Sequence, residues 1–148
     1  MDERFQTFTV LITRLSRSIK RIKGDEMAEF GLKGPHVSCL YYLLWEDGCT
    51  AARLCERCEE DKAAISRSLD YLEERGYLTC EVHGQRRYKS PLHLTPEGRQ
   101  VAQAVAVKIS RIVREASADL SEGEREIMYR GLTAICENLE HISEQQGV

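Results

Sequence analysis

Asp61-Lys-Ala-Ala-Ile-Ser-Arg-Ser-Leu-Asp-Tyr-Leu-Glu-Glu-Arg-Gly-Tyr-Leu78 reads as a capped amphipathic helix that runs into an extended segment. The Asp61 carboxylate can accept bonds from the free amides of a first helical turn. Ile65, Leu69 and Leu72 recur at helical spacing, which commits one face to a core. Lys62, Ala63, Ser66, Arg67 and Asp70 project from a different arc, which is small, polar and rich in hydrogen-bonding groups. Gly76 suits the left-handed residue that closes a helix, and Tyr77-Leu78 starts the extended run. A helix anchored on one side and offering Lys, Ser and Arg on the other has the form that enters a DNA major groove.

Working upstream, Thr50 is placed to cap a short helix, Ala51–Arg57, with Leu54 facing inward. Cys58-Glu59-Glu60 then forms the turn before Asp61. Two short helices joined this tightly make a helix-turn-helix. Together with Leu94-Thr95-Pro96-Glu97-Gly98, these pieces and their order resemble the MarR family of winged-helix regulators. The likeness in helix plan extends over nearly the whole chain. It implies a mainly α fold: a winged helix-turn-helix of about six helices with a small β-hairpin wing, and dimerisation helices at both chain ends.

At 148 residues the chain is expected to be one domain, with residues 35–95 as the winged-helix part and 1–30 and 96–148 as the helical dimerisation part. Its net charge of −3 argues against non-specific coating of nucleic acid, although a groove reader needs only a local basic surface. No apolar run approaches the roughly 20 residues of a membrane span, and the N-terminus lacks a signal-peptide profile. A cytoplasmic location without membrane partners is therefore expected. Six cysteines in such a compartment should be thiols.

Residues 3–23 place Phe5, Phe8, Ile12, Leu15, Ile19 and Ile22 three or four apart, a seam for packing against another helix. Arg14, Arg17, Lys20, Arg21 and Lys23 occupy its other positions and read first as a solvated face, second as a surface near DNA. Gly24 to Gly34 is read as helix end and loop. Pro35 opens an apolar helix that runs through His36 to Trp45. Beyond Leu78, Thr79–Val82 and Tyr88–Leu94 are expected as strands around His83-Gly84-Gln85-Arg86-Arg87, a hairpin with a basic tip. The resemblance makes this the wing, which reaches phosphates or the minor groove. Family members commonly carry Asp-x-Arg ahead of Leu-Thr. Here Arg86 and Tyr88 fall at those places, so Arg86, Arg87 and Lys89 are expected to substitute. Thr95 and Pro96 start a helix to about Ala118, and Ser121 with Glu124 forms a capping box for the last one. Met128, Leu132, Ile135, Leu139 and Ile142 stripe that helix, a second surface for a homodimer.

The resemblance also implies that Lys62, Ser66 and Arg67 face DNA. Ser66 and Arg67 suit base edges, and Lys62 suits the backbone. The competing role for Arg67 is an intrahelical pair with Asp70 or Glu74. Asp70 and Tyr71 depart from the family's habit; Tyr71 would pack either on a sugar or on the protein. Tyr41, Tyr42 and Trp45 are candidates to line an effector pocket, or else are core aromatics.

Chemistry of other kinds finds little support. Cys55-x-x-Cys58 lacks a second ligand pair at zinc spacing, although Cys80 and His83 would supply one if they met it. Cys58, in the turn before the recognition helix, is the thiol best placed for redox sensing, whereas Cys39, Cys80 and Cys136 sit among apolar neighbours as inert groups. Cys55 is read as a packed thiol. No Gly-rich phosphate loop, paired-carboxylate motif or nucleophile elbow is present, so the chain reads as no enzyme, with no metal and no cofactor. The expectation is a homodimer that binds a pseudo-palindromic duplex operator and represses transcription until a small effector releases it. Two rivals remain: a cysteine-based redox regulator of the same fold, and a dimeric helical module that has lost DNA binding.

Overall fold

The computed structural model describes residues 3–58, 60–82 and 88–147. The wing-tip cations Arg86 and Arg87 lie outside the described residues. The order is α1 (Glu3–Met27), a 3-10 turn (Ala28–Phe30), α2 (Gly34–Trp45), α3 (Ala51–Cys58), α4 (Lys62–Glu74), β1 (Leu78–Cys80), β2 (Leu92–Leu94), α5 (Pro96–Ala116) and α6 (Glu122–Gln146). This is the mainly α architecture with a small antiparallel hairpin that the sequence implies. Residues 1–108 and 109–148 form two compact units.

In the first unit, α2, α3, α4 and the hairpin surround one apolar core. Val37, Leu40 and Leu43 of α2, Leu54 of α3, Ile65, Leu69 and Leu72 of α4, and Leu78 and Leu92 of the strands are buried there. Burying each such side chain contributes about 1.5–3 kcal/mol before the loss of chain entropy is counted. Helix α1 overruns the expected stop at Gly24 by a full turn. A glycine inside a helix costs about 1 kcal/mol, but Met27, at the end of the added turn, is completely buried and offsets it. The reversal comes at Gly31, which adopts φ 68°. Helix α2 likewise starts one residue before Pro35, with the Lys33 amide donating to His36 Nδ1 at 3.0 Å.

The strands are shorter than expected. Leu78 pairs with Leu94, Thr79 with His93 and Cys80 with Leu92. The expected second strand ran from Tyr88, but its pairing begins only around Pro91, which bridges to Thr50 on the opposite side. The Leu92 amide donates to the Cys49 carbonyl, and the Gly48 amide to the Leu92 carbonyl, both at 3.0 Å. Two short segments, β1 and residues 48–50, thus flank β2. Proline has no amide for a ladder, which explains why the run cannot extend regularly towards Tyr88.

Most of α1 carries an unburied apolar seam: Val10, Leu11, Leu15 and Ile19 are each about half exposed. In the second unit α5 closes at Ala116, slightly before the expected Ala118. There Ser121 and Glu124 form the expected capping box, with bonds of 3.2 and 2.7 Å. Helix α6 buries no residue, and Ile127, Leu139 and Ile142 are exposed. Cys136, expected among apolar neighbours, is exposed too. No described helix is long and apolar enough to cross a membrane.

Candidate nucleic-acid interface

Helix α4 is fixed at both ends by the devices read from its sequence. The Asp61 side chain accepts from the Ala64 amide at 2.7 Å, a cap worth about 1 kcal/mol. At the other end the Gly76 amide bonds the Glu73 carbonyl and the Tyr77 amide bonds the Leu72 carbonyl, a Schellman closure around a Gly76 φ of 75°. Ile65, Ser68, Leu69 and Leu72 are buried, and Ser68 satisfies its hydroxyl by donating to the Ala64 carbonyl at 2.9 Å. Lys62, Ala63, Ser66, Arg67 and Asp70 are all exposed and fall on one arc.

Helix α3 is capped by the Thr50 hydroxyl, which accepts from the Arg53 amide at 3.2 Å. Arg53 and Arg57 both reach Glu46 at the end of α2, each at 3.6 Å. Such exposed pairs contribute at most about 1 kcal/mol each, so they orient α3 more than they stabilise it.

Arg67 forms no ion pair with any described residue, so the intrahelical pairing with Asp70 or Glu74 is not made and its guanidinium is left to solvent. Lys62 is not simply solvated. Its ammonium lies 4.5 Å from the centre of the Tyr88 ring, which brings the descending side of the wing to the start of α4. Lys89, next to Tyr88, is exposed.

Tyr71 settles on the protein. Its hydroxyl donates to the Gly31 carbonyl at 2.6 Å, and its ring stacks on His36 with centroids 4.2 Å apart. Burial, and then the charge of Lys33, hold the His36 imidazole below its usual range. Arg75 adds a clamp that sequence reasoning passed over. It donates to the Phe30 carbonyl and the Tyr77 hydroxyl while lying over the rings of Tyr71 and Tyr77. The only hint was an arginine between two tyrosines at a helix end. Between these groups lies a cleft of 360 Å³ lined by Lys33, His36, Arg67 and Tyr71.

Among the thiols, Cys58 is the last residue of α3 and not part of the following turn. Cys39 is buried, whereas Cys55 and Cys58 are half-buried. Tyr41, Tyr42 and Trp45 do cluster edge-to-face on α2, but Trp45 is 70% exposed, so the protomer presents them as an open patch.

A buried helix-turn-helix core, an exposed polar arc on its second helix and a hairpin leaning on that helix define a winged helix-turn-helix protein. Residues 30–87 match the model of the MarR family. The structure resembles the S. aureus MepR–DNA complex, with TM-score 0.75 and 22% identity over 89% of this chain and 96% of that one. It resembles S. aureus MarR in complex with salicylate and kanamycin, with TM-score 0.82 and 16% identity over 95% of each chain. A MarR family regulator from Neisseria meningitidis gives TM-score 0.78 and 19% identity over 97% of this chain and 99% of that one. At these identities the likeness is one of fold, and no curated protein matches by sequence. Over residues 30–87 the chain is thus similar to MarR-family regulators, and over most of its length it shares their winged-helix fold.

Proposed function

We propose that the protein is a homodimeric, cytoplasmic repressor that reads a pseudo-palindromic duplex operator through α4 and the wing. The observation that carries this reading is the division of α4: four residues are buried, whereas Lys62, Ala63, Ser66, Arg67 and Asp70 form a single exposed arc. Ser66 and Arg67 supply donors for base edges, with Arg67 suited to guanine N7 and O6. Lys62, Lys89 and the expected Arg86 and Arg87 position the phosphate backbone.

The exposed seams of α1 and α6 support the dimer, because apolar stripes of that length are costly in water. Residues 1–30 and 96–148 are assigned to that interface. A two-fold dimer places two α4 helices about one DNA turn apart. Release by a small effector would work by differential affinity for two separations of those helices, and the Tyr41–Tyr42–Trp45 patch is the surface assigned to it.

The test is an anisotropy titration with duplex from the protein's own promoter region, against scrambled duplex at matched salt. Preference of roughly 10³ or more for the promoter duplex supports operator reading. Equal binding to both duplexes at every salt concentration would leave the dimeric interaction module as the better reading.

A further inference from the structure

The main-chain carbonyls of Glu26, Phe30 and Gly31 are held by side chains from two other helices. The Lys108 ammonium of α5 donates to the Glu26 carbonyl at 3.0 Å, and the Tyr71 hydroxyl of α4 donates to the Gly31 carbonyl at 2.6 Å. Arg75, at the C-terminal end of α4, donates to the Phe30 carbonyl at 3.4 Å. Lys108 also pairs with the Glu26 and Glu29 carboxylates and lies 5.5 Å from the centre of the Phe30 ring. Between these bonds Met27 is fully buried, and Leu32 follows them into the core. Residues 26–31 therefore join α1, α4 and α5.

The joint is built on backbone, which makes it stiff. A side-chain acceptor can rotate to follow a shift, whereas a main-chain carbonyl moves only with its segment. Gly31 takes the left-handed conformation that turns the chain here, and a Cβ on it would stand 3.4 Å from the Tyr71 hydroxyl. Neither donor of α4 swings freely: the Tyr71 ring is stacked on His36 of α2, and Arg75 is also bonded to the Tyr77 hydroxyl. On one side of the joint stands α1, whose exposed seam is assigned to the dimer. On the other stands the helix that exposes Lys62, Ser66 and Arg67.

We propose that this joint fixes α4 relative to α1, and that Tyr71, Arg75 and Lys108 are thereby positioning residues for the half-site spacing of the operator. The spacing role rests on the homodimeric operator reading above; the joint itself does not. In a two-fold dimer each α4 is placed from the dimer helices through its own joint. The two joints together then set the separation and the relative rotation of the recognition helices. One base pair inserted between the half-sites moves them apart by about 3.4 Å and turns one against the other by about a tenth of a turn. A stiff joint resists both changes, and a loosened one follows them at lower cost. None of the three residues has to touch DNA for this. Their removal alters which spacing is accepted, not which bases are read.

The full-length protein is compared with Lys108→Met and Tyr71→Phe by hydrogen exchange read by mass spectrometry. Tyr71→Phe keeps the ring that stacks on His36, and it serves alone if Lys108→Met does not fold. Lys108→Met should speed exchange at residues 26–32 and also at 73–77 of α4, beyond its own bonds to Glu26 and Glu29. Tyr71→Phe should speed exchange at 26–32 and also around Lys108. Faster exchange confined to the residues each variant touches overturns the joint. Affinity is then measured for the promoter duplex and for the same duplex with one base pair inserted between half-sites. The wild type should prefer the native spacing by about tenfold or more. Each variant should cut that ratio by about twofold to tenfold, the range of one net hydrogen bond. Leu92→Val, a core variant on β2, should lose stability and keep the ratio. Joint variants that weaken both duplexes equally, or a wild type that binds both spacings equally, overturn the spacing role. A wild type that prefers no promoter duplex over scrambled DNA overturns the operator reading and the spacing role together, and exchange alone then decides the joint.

Discussion

Gly98 packs so closely on Tyr77 that a Cβ at residue 98 would occupy the space of the Tyr77 carbonyl oxygen. The contact brings the first turn of α5 onto the exit of α4. Thr95 makes it possible: its hydroxyl donates to the Gly76 carbonyl at 2.6 Å and accepts from the Gly98 amide at 3.0 Å. The Thr95 amide in turn bonds the Tyr77 carbonyl at 3.0 Å. Thr95-Pro96-Glu97-Gly98 is therefore a joint as well as a helix start.

Gly98→Ala should lower stability by about 3 kcal/mol, because overpacking a rigid backbone contact outweighs the roughly 1 kcal/mol that alanine offers a helix. A urea titration reads this as a lower midpoint at unchanged slope. Equal or greater stability of the variant would show that the joint opens at little cost.

Arg67→Ala should lose about 1–3 kcal/mol of operator affinity and relax preference at one base position, because a base-edge contact is removed. Lys62→Ala should instead weaken all duplexes alike and flatten the salt dependence, as a lost phosphate contact does. Finding the two variants interchangeable would contradict the division of labour along α4.

Leu15→Asp places a charge in the half-exposed seam of α1. Light scattering coupled to size exclusion should show a shift from dimer to monomer. The helical content of the DNA-binding core should persist, since Leu15 is not part of that core. A dimer as tight as the wild type would move the interface away from α1.

Stability should fall with acidification through His36. Its folded pKa is below the unfolded value near 6.5, so the unfolded chain binds more protons in that window. The contribution is complete above about pH 6.5 and is lost as pH falls through the folded pKa. Protonation of Nδ1 also abolishes its acceptance from the Lys33 amide. Melting temperature should therefore drop between pH 7 and 5 in the wild type, with a shallower drop in His36→Gln. Parallel curves would assign the loss to other groups.

Local chemistry was legible in the sequence wherever a residue acts on its own neighbours. Asp61, Thr50, Thr95 and Ser121 each cap the helix they were expected to cap. Gly76 took its left-handed conformation, and the buried and exposed faces of α4 fell where the spacing of Ile65, Leu69 and Leu72 put them. Contacts between segments distant in sequence were not legible. The extension of α1 past Gly24 depended on a cavity for Met27 that α1 does not itself build. The shortening of β2 depended on the bridge from Pro91 to Thr50.

Helix plan and the exposed polar arc of α4 are thus properties of the sequence alone, because capping and amphipathic spacing act within one or two turns. Tertiary structure alone decided that Tyr71 stacks on His36 and that Lys62 leans on Tyr88. Each of these pairs joins two elements whose approach is set by filling the shared core, and no local pattern encodes which side chains that approach will bring together.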